Sequence, residues 1–358
     1  MKCLVLCGGK GTRLKPLTFT IPKQLVPVAN RPILHFVLDN IIKSGLSDIG
    51  IIIAPETGGL IQESVEEYKA TINQPVKFTF LVQDEPKGLA HAVKTARDFL
   101  GEEPFLMYLG DNLIGGDLVE FISRFYETEV DALLLLKAVP DPTRFGIATL
   151  NAQGEIVHLE EKPKFPQSNL ALVGVYLFSS AIHWGIERIK PSFRGELEIT
   201  DAISQLIDAK KKVKAYILDK WWLDTGKKDT LLAANRIILQ ELIERKIEGE
   251  VSSQSQILGK VVIAKDAVVE NSAVRGPAVI GKGTKIINSS IGPYTAIADE
   301  CLVEDSKIES SIVLKGTQIK GIDRLADSLI GRNVRIEKNQ KFHQCLRLLI
   351  SDDSEVEV

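Results

Sequence analysis

Between Ile257 and Ile319 the aliphatic residues recur at a spacing that neither a helix nor an alternating strand produces. Val262, Val268, Val274, Ile280 and Ile286 stand six apart; the phase slips by one and resumes at Ile291, Ile297 and Val303, and Ile308, Val313 and Ile319 follow less regularly. A helix repeats its apolar face every ~3.6 residues and a half-buried strand every second one. A period of six is what a parallel β-helix needs, since each coil buries one aliphatic per face against the coil above. Gly281 and Gly292 follow aliphatic positions, and small or polar residues fill most of the rest. The competing reading, a β-rich domain of irregular short strands, gives no reason for so many positions in phase.

Before about residue 246 the pattern is different. Lys2–Cys7, Ile49–Ala54, Lys77–Val82, Phe105–Leu109, Ala132–Leu136, Leu170–Phe178 and Ala215–Leu218 read as strands. Pro32–Ser44, Leu89–Leu100 and Leu197–Ala209 read as helices, with Gly45 and Gly101 as stops. Such alternation predicts an α/β fold with a mostly parallel, Rossmann-like sheet and helices on both faces. A chain of 358 residues exceeds one typical core. We therefore expect a first domain at 1–246, a repeat domain at 251–340, and a C-terminal segment at 341–358 whose acidic end, Ser351–Val358, reads as a disordered tail.

The composition narrows the function classes. A net charge of −3 gives no support for a nucleic-acid surface. No apolar run approaches membrane-spanning length, and Gly8 and Gly9 interrupt the first apolar stretch, so a cytoplasmic protein is expected. Cys3, Cys7, Cys301 and Cys345 form no CxxC pair, and Cys3 and Cys7 read as small, reduced core residues.

The first predicted strand runs into Gly8-Gly9-Lys10-Gly11-Thr12-Arg13-Leu14, followed by Pro22-Lys23-Gln24-Leu25. Three glycines within four residues allow close backbone approach and can aim N–H groups at an anion. Arg13 and Lys23 add cationic donors suited to phosphate oxygens. The loop is not a P-loop, because the order is wrong. Nor is it a dinucleotide fingerprint, whose third glycine would fall at Leu14.

The fuller string GGKGTRLKPLT…PKQLVPVANRPIL resembles the signature of the sugar nucleotidyltransferases, and within them the long-form glucose-1-phosphate thymidylyltransferases. The resemblance covers about two thirds of the chain and recurs in several separate motifs. It implies that a sugar 1-phosphate, glucose 1-phosphate by expectation, attacks the α-phosphorus of dTTP and expels pyrophosphate. Both reactants are anionic, so the chemistry calls for cations and a metal. Mg²⁺ takes one or two carboxylates plus phosphates, and the resemblance gives those roles to Asp111 and Asp224. It gives the phosphates to Gly8, Gly9, Gly11, Thr12, Arg13 and Lys23. It places Gln83 and Gly88 on the nucleobase, with Gln24 nearby. Glutamine suits a pyrimidine's amide face because it offers one donor and one acceptor.

Three further segments resemble the family's sugar side: Arg144-Phe145-Gly146, Glu160-Glu161-Lys162-Pro163 and Val173-Gly174-Val175-Tyr176. Gly146 would leave room for the hexose, Glu161 hold its hydroxyls, Lys162 pair with its phosphate and Val173 wall the pocket. Arg194 would add a second phosphate contact. Short-form relatives often carry Tyr at Phe145 and Thr at Val173, so the sugar itself is left open. The resemblance also implies a left-handed β-helix, which we expect to support a homo-oligomer while the first 246 residues do the chemistry. UTP in place of dTTP is one alternative. A second, acyl-transferring activity is another, although no histidine lies between residues 184 and 342 to act as its base. A non-catalytic subunit would be expected to lack some of Arg13, Lys23, Asp111, Lys162 and Asp224. His35 and His91, inside predicted helices without zinc spacing, read as structural, and Trp221 and Trp222 as packing near the Asp224 loop.

Overall fold

The computed structural model describes residues 1–9 and 11–338. Two compact units emerge, and they do not follow chain order. One comprises Met1–Lys10 and Leu34–Trp222; the other joins Gly11–Ile33 to Leu223–Val358. No helix among the described residues is long and apolar enough to cross a membrane.

The first unit is built on a nine-stranded sheet. Along its main path the strands run Ile156–Glu161, Gly146–Leu150, Leu170–Phe178, Phe105–Leu109, Lys2–Leu6, Asp48–Ile53, Lys77–Val82, while Ala132–Ala138 joins Leu170–Phe178 to Val213–Ile217. Lys2–Leu6 lies parallel to both Asp48–Ile53 and Phe105–Leu109, and Asp48–Ile53 parallel to Lys77–Val82. Cys3, Leu4 and Val5 are fully buried, as a strand covered on both faces requires. Beyond Phe105–Leu109 the sheet becomes mixed, because Leu170–Phe178 is antiparallel to its three neighbours. The hairpin of Gly146–Leu150 and Ile156–Glu161 escapes a reading by periodicity. Its second strand buries only Ile156 and Leu159 and otherwise looks like polar loop. The helix expected over Leu89–Leu100 is broken at Ala96 into Leu89–Thr95 and Arg97–Leu100.

In the second unit, residues 246–337 wind into a parallel β-helix of three sheets, two of six strands and one of five. It is the left-handed β-helix expected above. Its aliphatic stack contains Val274, Ile280, Ile286, Ile291, Ile297, Val303, Ile308, Val313 and Ile319, all among the anticipated positions. Val262 and Val268 are corrected by one residue: Ile263 and Val269 are the fully buried ones. Most equivalent positions advance by 17 residues, one five-residue step among sixes, while the coil from Ile297 to Val313 advances by 16 with two such steps; the first five-residue step falls earlier than the sequence suggests. Polar residues at the corners bind the next coil. Ser272 Oγ accepts from Ser289 N at 2.9 Å, and Ser289 Oγ from Ser306 N at 3.1 Å. These bonds satisfy buried backbone donors that a bare corner would strand. The helix Lys228–Leu242 buries Leu231, Ala234, Asn235, Ile238 and Leu239. Cys345 and the acidic Ser351–Val358 lie outside the described residues.

Candidate active site

At the carboxyl ends of the parallel strands, the backbone ladder sets three candidate residues side by side. Cys7 N donates to Ile52 O at 2.9 Å, Gln83 N to Ile53 O at 2.9 Å and Gly110 N to Leu6 O at 3.0 Å. Gly8, Gln83 and Asp111 therefore leave one edge of the sheet together, where ligands of open α/β sheets sit. A Cβ on Gly8 would lie 3.2 Å from Gln83 Oε1, so the loop approaches that amide closely. Burial, and secondarily the charge of Asp111, push the Cys7 thiol well above its usual range, which marks Cys7 as packing rather than chemistry. The local geometry at Gly88 itself calls for glycine. Its φ is +101°, and a Cβ would meet Leu197 O at 2.5 Å, so the close approach is to the chain's own backbone.

The sugar-side segments also converge within this unit. Gly146 stands opposite Glu161 in the antiparallel hairpin, and a Cβ on it would come within 3.0 Å of Glu161 Oε2. Glu161 is held by Lys162 at 3.2 Å and by Arg194 at 3.6 Å. Burial pushes its carboxyl above the usual carboxylate range, Lys162 opposes that, and Glu198 adds to it. Arg194 also reaches Glu196 at 3.0 Å and Glu198 at 3.3 Å, so three carboxylates share its guanidinium. Val173 is fully buried. Its carbonyl accepts from Asn112 Nδ2 at 2.7 Å, next to Gly174 at φ +89°, whose missing Cβ would strike that amide.

The cations expected to meet phosphate, Arg13 and Lys23, lie in the second unit. Segment 11–33 runs through three short turns, Thr12–Leu14, Leu17–Phe19 and Lys23–Leu25. Thr18 Oγ1 donates to Gly11 O at 2.8 Å and closes the first of them. Lys23 Nζ stands 3.4 Å from Asp224 Oδ1, and Arg13 Nη2 stands 3.7 Å from Asp224 Oδ2. Lys23 is buried, so its charge needs that partner. A Cβ on Gly226 would lie 2.7 Å from Arg13 Nη2, so glycine there admits the guanidinium. Gln24 is buried and its Oε1 has no partner.

Residues 2–241 match the family model described as nucleotidyl transferase. The chain belongs to that family. It is 44% identical to a glucose-1-phosphate thymidylyltransferase of Streptomyces griseus, over all of this chain and 99% of the relative. It is 37% identical to the bifunctional protein GlmU of Methanocaldococcus jannaschii, covering 93% of this chain and 78% of the relative. Among solved structures, a Bacillus anthracis protein described as a glucose-1-phosphate thymidylyltransferase in complex with sucrose superposes with a TM-score of 0.62 at 34% identity, covering 69% of this chain and 98% of the other.

In this nucleotidyl transferase, two residues gain a place that the sequence did not signal. Asn112 ties the Asp111 turn to the strand carrying Val173. His91, read above as structural, bonds Gln83 at 2.9 Å. His35 does keep its structural role, with Nε2 at 2.9 Å from Ser64 Oγ. Trp222 packs its ring against Phe145 at 5.0 Å. Among the described residues, no group of three or more His, Cys, Asp or Glu gathers as a metal cage. Asp111 and Asp224 are carboxylates, the oxygen donors that a hard cation such as Mg²⁺ takes alongside phosphate and water.

Proposed function

We propose that this nucleotidyl transferase joins dTTP to glucose 1-phosphate, giving dTDP-glucose and pyrophosphate. The observation that carries the reading is the Arg13–Lys23–Asp224 cluster, two cations of the glycine-loop segment paired with a carboxylate at the end of the strand Trp222–Asp224. A sugar-phosphate oxygen attacks the α-phosphorus in line, and the bond to the pyrophosphate oxygen breaks as the new P–O bond forms. Backbone N–H groups of Gly8, Gly9, Gly11 and Thr12 cradle the triphosphate. Arg13 and Lys23 balance the charge that grows on the leaving pyrophosphate. Gln83 and Gly88 receive the base, with Gln24 beside them. Lys162, with Arg194 second, holds the sugar phosphate; Glu161 takes sugar hydroxyls, and Gly146 and Val173 shape the hexose pocket. Asp111 and Asp224 would hold Mg²⁺, which supplies charge neutralisation at the reacting phosphates.

All these residues lie within 1–246, which we read as the catalytic region, with 251–340 as the β-helix region. A homo-oligomer in the cytoplasm belongs to the same reading; Cys3, Cys7 and Cys301 are free thiols, as a reducing compartment leaves them. Acyl transfer by the coils is the less favoured alternative. Burial pushes the Cys301 thiol up to about 11, and its sulfur donates to Leu314 O, so the coil thiol is no nucleophile. The test incubates pure protein with Mg²⁺, each nucleoside triphosphate and a panel of sugar 1-phosphates while pyrophosphate release is followed. The highest kcat/KM should fall on dTTP with glucose 1-phosphate; a clear preference for UTP would replace the thymidylyl reading with a uridylyl one.

A further inference from the structure

Gln83 is buried, and most of its amide is already committed within the protein. Its Nε2 donates to Gly88 O at 3.2 Å and meets His91 Nδ1 at 2.9 Å. An amide nitrogen has two hydrogens to give and accepts none. The ring nitrogen facing it must therefore be an acceptor, so His91 is neutral with its proton on Nε2. The surroundings favour that form: burial, Lys87 and Lys94 hold the imidazole below its usual range, against Glu85 and Asp84. Both Nε2 hydrogens are thus taken. Oε1 remains, on the side of Gly8.

The position of His91 is itself well fixed. It lies in the first turn of the helix Leu89–Thr95, directly after Gly88. That start is laced to a neighbouring segment, with Leu197 N donating to Lys87 O at 2.7 Å and Ala90 N to Leu197 O at 3.1 Å.

We propose that His91 is a positioning residue for nucleobase selection: by taking the second Nε2 hydrogen of Gln83, it leaves the amide able to offer the base only an acceptor. The inference rests on the proposed base-reading role of Gln83. An acceptor in that place selects a ring that presents an N–H. Thymine and uracil do so at N3, whereas cytosine presents a lone pair there, and two facing lone pairs repel. Without the imidazole one amide N–H is released and only the 3.2 Å bond to Gly88 O still orients the amide, so it turns more readily to serve as donor and cytosine is refused less strictly. The glutamine alone does not supply this selectivity, because a free amide pairs with either face.

The test uses the full chain with glucose 1-phosphate and compares the inhibition constant of dCTP with the KM for dTTP. In His91→Phe, which removes the acceptor but keeps a ring, the ratio should fall about tenfold, the usual worth of one buried hydrogen bond's discrimination. The KM for glucose 1-phosphate should stay unchanged. His91→Gln returns an acceptor and should recover most of the ratio. If His91→Phe does not fold, His91→Ala gives the same reading. Gln83→Ala runs beside them. A ratio unchanged in Gln83→Ala would overturn the base-reading role itself. A ratio narrowed in Gln83→Ala but unchanged in the His91 variants would overturn the inference and leave Gln83 in place. Equal weakening of dTTP and dCTP, with a raised KM for glucose 1-phosphate, would show a merely structural histidine and overturn it too.

Discussion

Gln83 and Asp111 are held by the sheet, whereas Arg13 and Lys23 are carried by a segment with no sheet beneath it. The first pair follows strands whose ends are pinned by backbone bonds at 2.9 and 3.0 Å. The second pair lies on short turns held by side chains. Ala29 N donates to Asn235 Oδ1 at 2.8 Å, Asn235 Nδ2 to Tyr294 O at 2.9 Å, and Asn30 Nδ2 to Ile297 O at 2.6 Å. The carbonyls of Tyr294 and Ile297 belong to the β-helix. The strand-end residues are thus as rigid as the fold, while the segment that carries the cations is tied at its 29–30 turn by three side-chain bonds, two of which end on the coils. The residues proposed for the nucleotide thus rest on two different supports, and mutations can separate them.

The largest effects should come from the charges themselves, whichever support carries them. Asp111→Asn and Asp224→Asn should each lower kcat about a hundredfold or more, because each removes a proposed metal carboxylate. Arg13→Ala should cost roughly a hundredfold, chiefly in kcat, since charge on the leaving pyrophosphate develops only in the transition state. Steady-state kinetics at saturating Mg²⁺ check all three, and near-normal turnover in any variant removes that residue from its role.

Truncation near residue 246 comes next and bears directly on the comparison. If the first 246 residues were self-sufficient, activity would survive and only the oligomeric mass would change. With the coil carbonyls of Tyr294 and Ile297 gone, the loop loses two of its three anchors. A folded truncation should keep its strand-end residues in place yet turn over about tenfold more slowly or worse, since misplacing a catalytic group by ~1 Å can cost a hundredfold. Full activity in a folded truncation would show that the loop needs no coil.

Lys162→Ala should raise the KM for glucose 1-phosphate about tenfold and leave the KM for dTTP nearly unchanged. Lys162 stands beside Glu161 in the hairpin of the first unit and touches none of the loop's anchors. An equal loss toward both substrates would place it elsewhere.

The same contrast explains what the sequence disclosed. Phe105–Leu109 and Leu170–Phe178 have the bounds that their apolar runs indicate, because a strand buried on both faces writes itself as continuous hydrophobic sequence; the half-buried edge strand Lys77–Val82 was legible by its apolar run too. Gln83 and Asp111 were legible as the residues just beyond such runs. The coil stack was legible through its period, except at Val262 and Val268, where the five-residue step displaced the inward position. The supports were not legible. Asn112, His91 and Asn235 each act across a long sequence separation or as one ordinary polar residue on a helix, and no local pattern marks the partner. Nor did anything in GGKGTRL show that segment 11–33 would group with coils some 260 residues away.

The smallest expected effect is the sharpest test of that last point. Ala29 and Asn30 turn the tight hairpin between Pro27–Val28 and Arg31–Pro32, and both have left-handed backbone, φ 48° and 61°. Asparagine tolerates this conformation, but alanine is ordinarily avoided there. Asn235 receives the N–H of Ala29, so it stabilises the strained half of the turn while its own amide hydrogen goes to Tyr294 O. It is fully buried, and losing it strands a donor and an acceptor together. Asn235→Ala should therefore cost about 1–3 kcal/mol of stability, by the usual penalty for unpaired buried polar groups. Its kinetic signature should be a kcat lowered about threefold to tenfold with the KM for glucose 1-phosphate unchanged, because the loop loosens while the sugar side does not. Asn235→Asp keeps the acceptor for Ala29 but loses the donor to Tyr294, so it should recover the turn without the coil. If Asn235→Asp matches the wild type in kcat, the coil bond is idle and the turn alone holds Arg13 and Lys23. If it matches Asn235→Ala, the β-helix is what sets them against the phosphates.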